Sequence, residues 1–221
     1  MLICDNVIVM ANTLAYLLDN KVYINLTNRC TNSCIFCLRN DKDDVCGQNL
    51  WLENENITVK DVITQFETTI QPLNRSTIQP TEVTFCGYGE PLLKLDLLKE
   101  VATYLKEKYP QIKLRINTNG HANFVHKRNV AKELKGLIDT ISVSLNGANE
   151  EEYNKYSQPS FKNAYQEVKD FIKASADCGI NTVATVVDGY KGQHIDIEEC
   201  KRIATSLGAT FRVREWIENG Y

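Results

Sequence analysis

The stretch EVTFCGYGEPLLKLDLLKEVATYLKEK, residues 82–108, passes from a β-branched run through a glycine turn into a helical pattern, and that passage decides the fold. Glu82 to Cys86 reads as a strand. Gly87 and Gly89 let the turn backbone approach a ligand closely, and Pro91 suits the first turn of a helix. From Leu92 to Lys108, Leu93, Leu97, Leu98, Val101 and Leu105 recur at three- and four-residue spacing, and Pro110 follows the end. A strand–turn–helix unit of this kind is the first part of a βαβ repeat.

The alternation continues in both directions. Upstream, Val22 to Leu26 reads as a strand, and Thr58 is placed to cap a helix, with Asp61 three residues on. Downstream, strands are predicted over Lys113 to Asn117, Thr140 to Leu145, Thr182 to Val187 and Thr210 to Arg214. Helical patterns over Phe161 to Cys178 and Ile195 to Leu207 stop at Gly179 and Gly208, where a helix commonly ends in a left-handed residue. Six strands with helices between them predict an α/β fold, an open partial (β/α)6 TIM-like barrel. A closed eight-stranded barrel typically takes about 250 residues. With 221 residues, 43% of them hydrophobic, a single core domain over 1–221 is expected, with a short N-terminal extension over 1–20.

Lys and Arg total 25 against 28 Asp and Glu, a net charge of −3, so there is no broad basic field to draw nucleic acid. The first 20 residues carry Asp5 and Asn6 inside their apolar run, lack a basic start and offer no small-residue cleavage site. No signal peptide and no membrane span are expected, which places the chain in the cytoplasm with its thiols reduced. Eight cysteines then need a reason other than disulfides.

Three of them provide one. Asn28-Arg-Cys30-Thr-Asn-Ser-Cys34-Ile-Phe-Cys37 follows directly on the first predicted parallel strand. Three thiolates within eight residues can wrap one corner of a cubane cluster, because a loop passing into a helix brings residues three and four apart to one side. Three ligands leave one iron open, and an open position separates a catalytic centre from a closed one. Other uses remain on the table here. A structural zinc site would need a fourth ligand, with Cys46 the only cysteine in reach and no histidine before His121. A ferredoxin-type cluster would need a fourth cysteine at a recognised spacing, and buried thiols without metal are common small hydrophobes.

CxxxCxxC with an aromatic before its last cysteine, placed after the first strand of a βα series, resembles the signature of the radical S-adenosylmethionine (radical SAM) superfamily. The resemblance implies a 4Fe-4S cluster on Cys30, Cys34 and Cys37 whose open iron is chelated by the amino and carboxylate groups of S-adenosylmethionine. It also implies reductive cleavage of that cofactor to a 5'-deoxyadenosyl radical, backbone around Phe36 against the adenine, and an electron donor such as flavodoxin or ferredoxin. A GGE-like segment binding the cofactor's amino group follows the second strand in this superfamily. Here that role passes to Gly87, Tyr88, Gly89 and Glu90 in a Gly-x-Gly-Glu-Pro variant.

Asn117, Thr118 and Asn119, ending the third strand, have short polar side chains suited to a carboxylate or ribose, and the resemblance supports that role. On the fourth strand the two-residue period puts Ser142, Ser144 and Asn146 on one face and Ile141, Val143 and Leu145 on the other. Ser144 and Asn146 are assigned to the ribose and carboxylate region, and Val186 on the fifth strand to the adenine. His121, His126 and His194 show no metal spacing and read as surface or helix-end residues.

For a substrate, a small molecule or peptide, the candidates at the strand ends are Tyr88, Asp188, Arg212, Arg214 and Trp216. An arginine pair grips a carboxylate or phosphate. Residues 38–57 are long for a plain connection and read as a lid, with Cys46 a candidate redox or substrate-linked thiol. The chain stops soon after the sixth strand, which leaves no expected room for an auxiliary-cluster, cobalamin-binding or peptide-recognition domain. FCLRN, NLWLE and FCGYGEPLL resemble a small radical SAM family often encoded beside TatD-type hydrolases. The leading expectation is a stand-alone hydrogen-abstracting enzyme. An activase that installs a glycyl radical on a partner protein, and a non-catalytic iron–sulfur protein, are the alternatives.

Overall fold

A computed structural model of the chain describes residues 12–71 and 80–216. Seven strands form one sheet: β1 (Ala15–Leu18), β2 (Lys21–Ile24), β5 (Glu82–Phe85), β6 (Lys113–Thr118), β7 (Thr140–Ser144), β8 (Asn181–Asp188) and β9 (Thr210–Glu215), neighbours in that order. A separate two-stranded hairpin pairs β3 (Asp44–Val45) with β4 (Gln48–Asn49). The six predicted strands are all present, and within the seven-stranded sheet every pairing from β2 onward is parallel. Sequential order without reversal means that each crossover winds the same way, so the helices cover one face and the sheet curls around the other. The result is a partial barrel.

The seventh strand was not expected. Within the supposed extension, β1 pairs antiparallel with β2, Leu18 opposite Lys21, across a two-residue turn in which Asp19 takes φ +54°. Aspartate tolerates that left-handed conformation better than most residues.

The helical layer follows its predicted patterns. Thr58 caps α1 (Val59–Ile70), accepting from Asp61 N while Asp61 accepts from Thr58 N. The segment after Gly89 begins as a tight 3-10 turn over Pro91–Lys94 before α2 (Leu95–Lys108) buries Leu95, Leu98, Val101 and Leu105. Each large side chain so buried contributes about 1.5–3 kcal/mol. Short helices α3 (Ala122–His126), α4 (Val130–Leu134) and α5 (Glu150–Ser157) precede α6 (Ala164–Asp177) and α7 (Ile197–Ser206). Gly179 and Gly208 end the last two at φ +77° and +82°.

Parallel register fixes which side chains face inward, since paired residues point the same way. A Cβ on Gly120 would sit 2.8 Å from Val143 Cγ1 and 3.3 Å from Val168 of α6, so Val143 faces the helices. Ile116, Ile141, Ala184 and Val186 share that side. Thr84, Cys86, Arg115, Asn117, Ser142, Ser144, Thr185, Arg212 and Arg214 take the concave side. At the amino end of the strands Glu82 joins Lys21 (3.3 Å) to Arg115 (3.0 Å), and Arg115 Nη1 donates to Ser142 Oγ (2.8 Å). This charged floor closes the barrel below, leaving the carboxyl end for chemistry.

Candidate active site

The cluster loop begins where β2 ends and is held from several sides. Ser33 N donates to Ser157 O (3.2 Å) and Gln158 O (3.1 Å), Ile35 N to Tyr156 O (3.0 Å), and Ser160 N to Thr31 O (2.9 Å), which pins the loop to the end of α5. Arg39, a residue sequence reasoning passed over, binds three loop carbonyls: Nη1 donates to Asn28 O (3.1 Å) and Tyr88 O (3.5 Å), and Nη2 to Asn32 O (3.3 Å). A guanidinium fork spans diverging acceptors in a way a lysine does not.

Cys30, Cys34 and Cys37 are free and half-buried. Burial, then the neighbouring charges of Cys30 and Cys37, pushes the Cys34 thiol up to about 12. The three thiols therefore sense one another. Among the described residues no three His, Cys, Asp or Glu side chains converge as they would around one metal ion. Cys46 stands exposed at φ +52° in the turn of the β3–β4 hairpin.

The glycine turn after β5 abuts this loop. A Cβ on Gly89 would lie 2.2 Å from Thr27 O and 2.6 Å from Arg29 O, and one on Gly87 would lie 2.0 Å from Asn25 Oδ1. Glu90 N donates to Arg29 O (2.8 Å). The Glu90 carboxylate is buried and fully engaged, accepting from Leu92 N (3.0 Å), Thr118 Oγ1 (2.7 Å) and Asn119 N (2.7 Å). It ties the ends of β5 and β6 together, and these internal bonds occupy acceptor positions that the cofactor's amino group would have used. Burial raises its pKa to about 7.

This gives a signed expectation. The native state keeps a proton that the unfolded chain, at about 4.5, has already lost, so Glu90's contribution is full below about pH 4.5 and is lost as pH rises through 7. The range is worth about 3 kcal/mol at 1.36 kcal/mol per pH unit. Denaturant melts of the apo chain at pH 5.5 and 8 should show the part of this fall that lies above pH 5.5, about 2 kcal/mol, in wild type beyond that in Glu90→Gln. Equal pH slopes would mean that the carboxyl is not buried as described.

Other assigned residues separate. Asn117 faces the concave side, and among the described residues its buried Oδ1 has no hydrogen-bond partner. Ser144 lies half-buried on the same face, and Asn146 turns at φ +49° and is buried. Thr118 instead points to the helical side. Val186 does too: it is fully buried and in register with that row, so the strand's alternation gives the concave side to Thr185 and Val187. Phe36 is buried against Tyr190, ring centroids 6.2 Å apart.

Tyr88 is withdrawn from any substrate. It packs with Tyr16, Val45 and Leu50, lies 5.2 Å from the Trp51 ring, and donates its hydroxyl to Lys42 O (2.7 Å). The supposed lid is thereby a wall. Asn25 Nδ2 donates to Leu50 O (2.8 Å), Asn28 Nδ2 to Leu52 O (2.8 Å), and Glu55 accepts from Asn28 N (2.7 Å). Asp188 is spent on His194 (2.9 Å) and Ile195 N (2.8 Å), while Trp216 packs on Tyr190 at 4.9 Å. Arg212 and Arg214 lie exposed on the concave side of β9, and the charge of Arg214 reaches Cys86.

Of the histidines, His194 is exposed and His126 Nε2 is paired with Leu92 O (2.7 Å). His121 does precede a helix, α3, but it is buried rather than at the surface.

A partial parallel barrel with a three-thiol loop at its carboxyl end defines a class of cluster-binding enzyme cores. The family model of the Radical SAM superfamily matches residues 24–204, and the chain belongs to that superfamily, whose members bind a 4Fe-4S cluster and S-adenosylmethionine. Among curated proteins it is 26% identical over 201 residues to GTP 3',8-cyclase of Nautilia profundicola, covering 90% of this chain and 56% of the relative. An uncharacterised protein of Methanocaldococcus jannaschii is 25% identical over 169 residues, covering 73% and 52%. The chain thus spans about half the length of these relatives. Solved structures with the same fold include anSMEcpe with bound AdoMet (14% identity, TM-score 0.60, 88% of this chain and 50% of that one). Streptococcus suis SuiB is another (18%, 0.61, 90% and 40%). No helix among the described residues is long and apolar enough to cross a membrane.

Proposed function

We propose that this chain is a radical SAM enzyme in which Cys30, Cys34 and Cys37 hold the cluster and an unidentified small molecule or peptide gives up a hydrogen atom. The observation that carries this reading is the three-cysteine loop pinned by backbone bonds at the carboxyl end of a parallel barrel, within the stretch that the superfamily's family model matches. When bound, the cluster and S-adenosylmethionine supply a 5'-deoxyadenosyl radical by one-electron reductive cleavage.

The chain's own groups bind, orient and exclude water. Asn117, whose buried Oδ1 lacks a partner among the described residues, offers an acceptor to the cofactor, and Ser144 and Asn146 line the same end of the barrel. Phe36 gives an apolar edge to the adenine, and Gly87 and Gly89 keep the neighbouring backbone close. The wall over residues 38–57 closes the β1–β2 side, so substrate meets the concave face from the β9 side. Arg212 and Arg214 there suit an anionic group on it. The likeness to GTP 3',8-cyclase favours such a substrate over a neutral one. A flavodoxin or ferredoxin is the proposed electron donor, the cytoplasm the proposed location, and the TatD-associated radical SAM family the proposed subgroup.

The test is anaerobic reconstitution with iron and sulfide, reduction with dithionite in the presence of S-adenosylmethionine, and chromatography for 5'-deoxyadenosine and methionine. Formation of both supports the reading. An intact cluster whose spin-resonance spectrum ignores S-adenosylmethionine would instead favour an electron-transfer protein.

A further inference from the structure

Behind the cluster loop lies a polar network that no step of the reaction uses. Asn119, His121, Thr31, Tyr153 and Asn32 come from four separate parts of the chain: the loop itself, the end of β6, the start of α3 and the middle of α5. Asn119 Nδ2 donates to Thr31 Oγ1 (2.7 Å) and lies 3.6 Å from Cys30 Sγ. His121 Nδ1 meets Thr31 Oγ1 at 2.8 Å, and its Nε2 meets the Tyr153 hydroxyl at 2.9 Å. Asn32 Nδ2 donates to the same hydroxyl (3.3 Å). The ring of Phe161 closes on His121 edge-on at 4.7 Å.

The direction of these bonds follows from chemistry. Asn119 Oδ1 accepts from His121 N (3.1 Å), so its amide nitrogen is the group aimed at Thr31 and Cys30, and an amide nitrogen only donates. In the Nε2–H tautomer Thr31 Oγ1, accepting that bond, sends its own proton to His121 Nδ1. The remaining ring proton sits on Nε2 and goes to Tyr153, which also accepts from Asn32. Donation thus runs one way, from Asn119 through Thr31 and His121 to Tyr153. A neutral imidazole is the form this chain needs, and burial holds His121 neutral, its pKa lowered to about 4.

Resting on the cluster assignment above, we infer that this arch is a positioning device. His121 and Tyr153 fix the Cys30–Asn32 turn from behind, and Asn119 gives the Cys30 sulfur an N–H donor that stabilises the reduced, more negative cluster. Hydrogen bonds to cluster sulfurs are a recognised lever on reduction potential, and supporting bonds around a metal site typically govern about 10- to 100-fold in affinity. His121 and Tyr153 are positioning residues, since their hydrogen bonds go to Thr31, Asn32 and each other rather than to a cysteine.

The test uses the full chain, anaerobically reconstituted, with three variants: Asn119→Ala, His121→Phe and Tyr153→Phe. Asn119→Ala should shift the cluster's midpoint potential to more negative values in a spectroelectrochemical titration. His121→Phe and Tyr153→Phe should release iron to a chelator on the order of tenfold faster than wild type, with apo-protein melting curves as the folding control. Tyr153→Phe keeps the ring and carries the test if His121→Phe does not fold. Wild-type potential in Asn119→Ala together with wild-type iron release in Tyr153→Phe would overturn the inference. Failure of the wild type itself to form a cluster would instead overturn the cluster assignment.

Discussion

Cys34→Ala is expected to yield a folded chain that retains no 4Fe-4S cluster and forms no 5'-deoxyadenosine. The fold survives because the thiol is neutral in the apo-protein, its pKa held near 12 by burial and by its neighbours. Removing a neutral sulfur costs roughly 1 kcal/mol, small against the 5–15 kcal/mol of a typical domain. The loop also keeps its anchors, since Ser33 and Ile35 are held through backbone groups. The cluster does not survive, because two thiolates cannot grip three corners. The loss should exceed the roughly 10- to 100-fold that follows from deleting a supporting hydrogen bond. Iron and sulfide analysis beside a melting curve decides the matter. A Cys34→Ala protein that keeps full iron and still cleaves S-adenosylmethionine would sink the assignment.

Among the described glycines, Gly89→Ala should be the most damaging single added methyl group. Its Cβ would fall 2.2 Å from Thr27 O, 2.6 Å from Arg29 O and 2.8 Å from Thr27 C, all backbone atoms. None can swing aside: Thr27 is tied through its hydroxyl to Glu55, and Arg29 O accepts from Glu90 N. The turn and the cluster loop would have to part, at a cost of about 3 kcal/mol or more. In a chain of this size that lowers the melting temperature by roughly 6–12 °C. Gly87→Ala, which meets only the Asn25 side chain, should cost less. Gly89→Ala melting within a degree or two of wild type, with a full cluster, would show that the two loops do not touch as described.

Much of this was legible in the sequence because it depends on neighbours in the chain. The six parallel strands follow from β-branched runs, the start of α1 from Thr58 and Asp61, and the placing of the cysteine loop from its position after a strand. What stayed hidden depends on distant partners. His121 stands alone in NTNGHANF, and nothing local says that Thr31, 90 residues earlier, and Tyr153, 32 later, take its two nitrogens. Glu90 looked like a ligand because its motif does, yet its three donors come from two segments. The run TVATVVD on β8 is apolar on both faces, so only its register against β7 shows which way Val186 points. β1 was missed because AYLL lacks alternation; Asp19-Asn20 was the available turn signal.

The last strand carries a consequence beyond ligand binding. Among the described residues β9 has a hydrogen-bonded neighbour on one side only, and its sequence, Thr-Phe-Arg-Val-Arg-Glu, interleaves charges with exposed apolar Val213. An unpaired ribbon of this kind is an invitation to a second copy, and strong charges on it are a common guard against edge-to-edge pairing of molecules. Arg212 and Arg214 therefore hold two posts, one toward the barrel's contents and one toward other molecules. Neutralising both should promote self-association, visible by light scattering, so any drop in turnover measures chemistry only in the fraction that stays monodisperse.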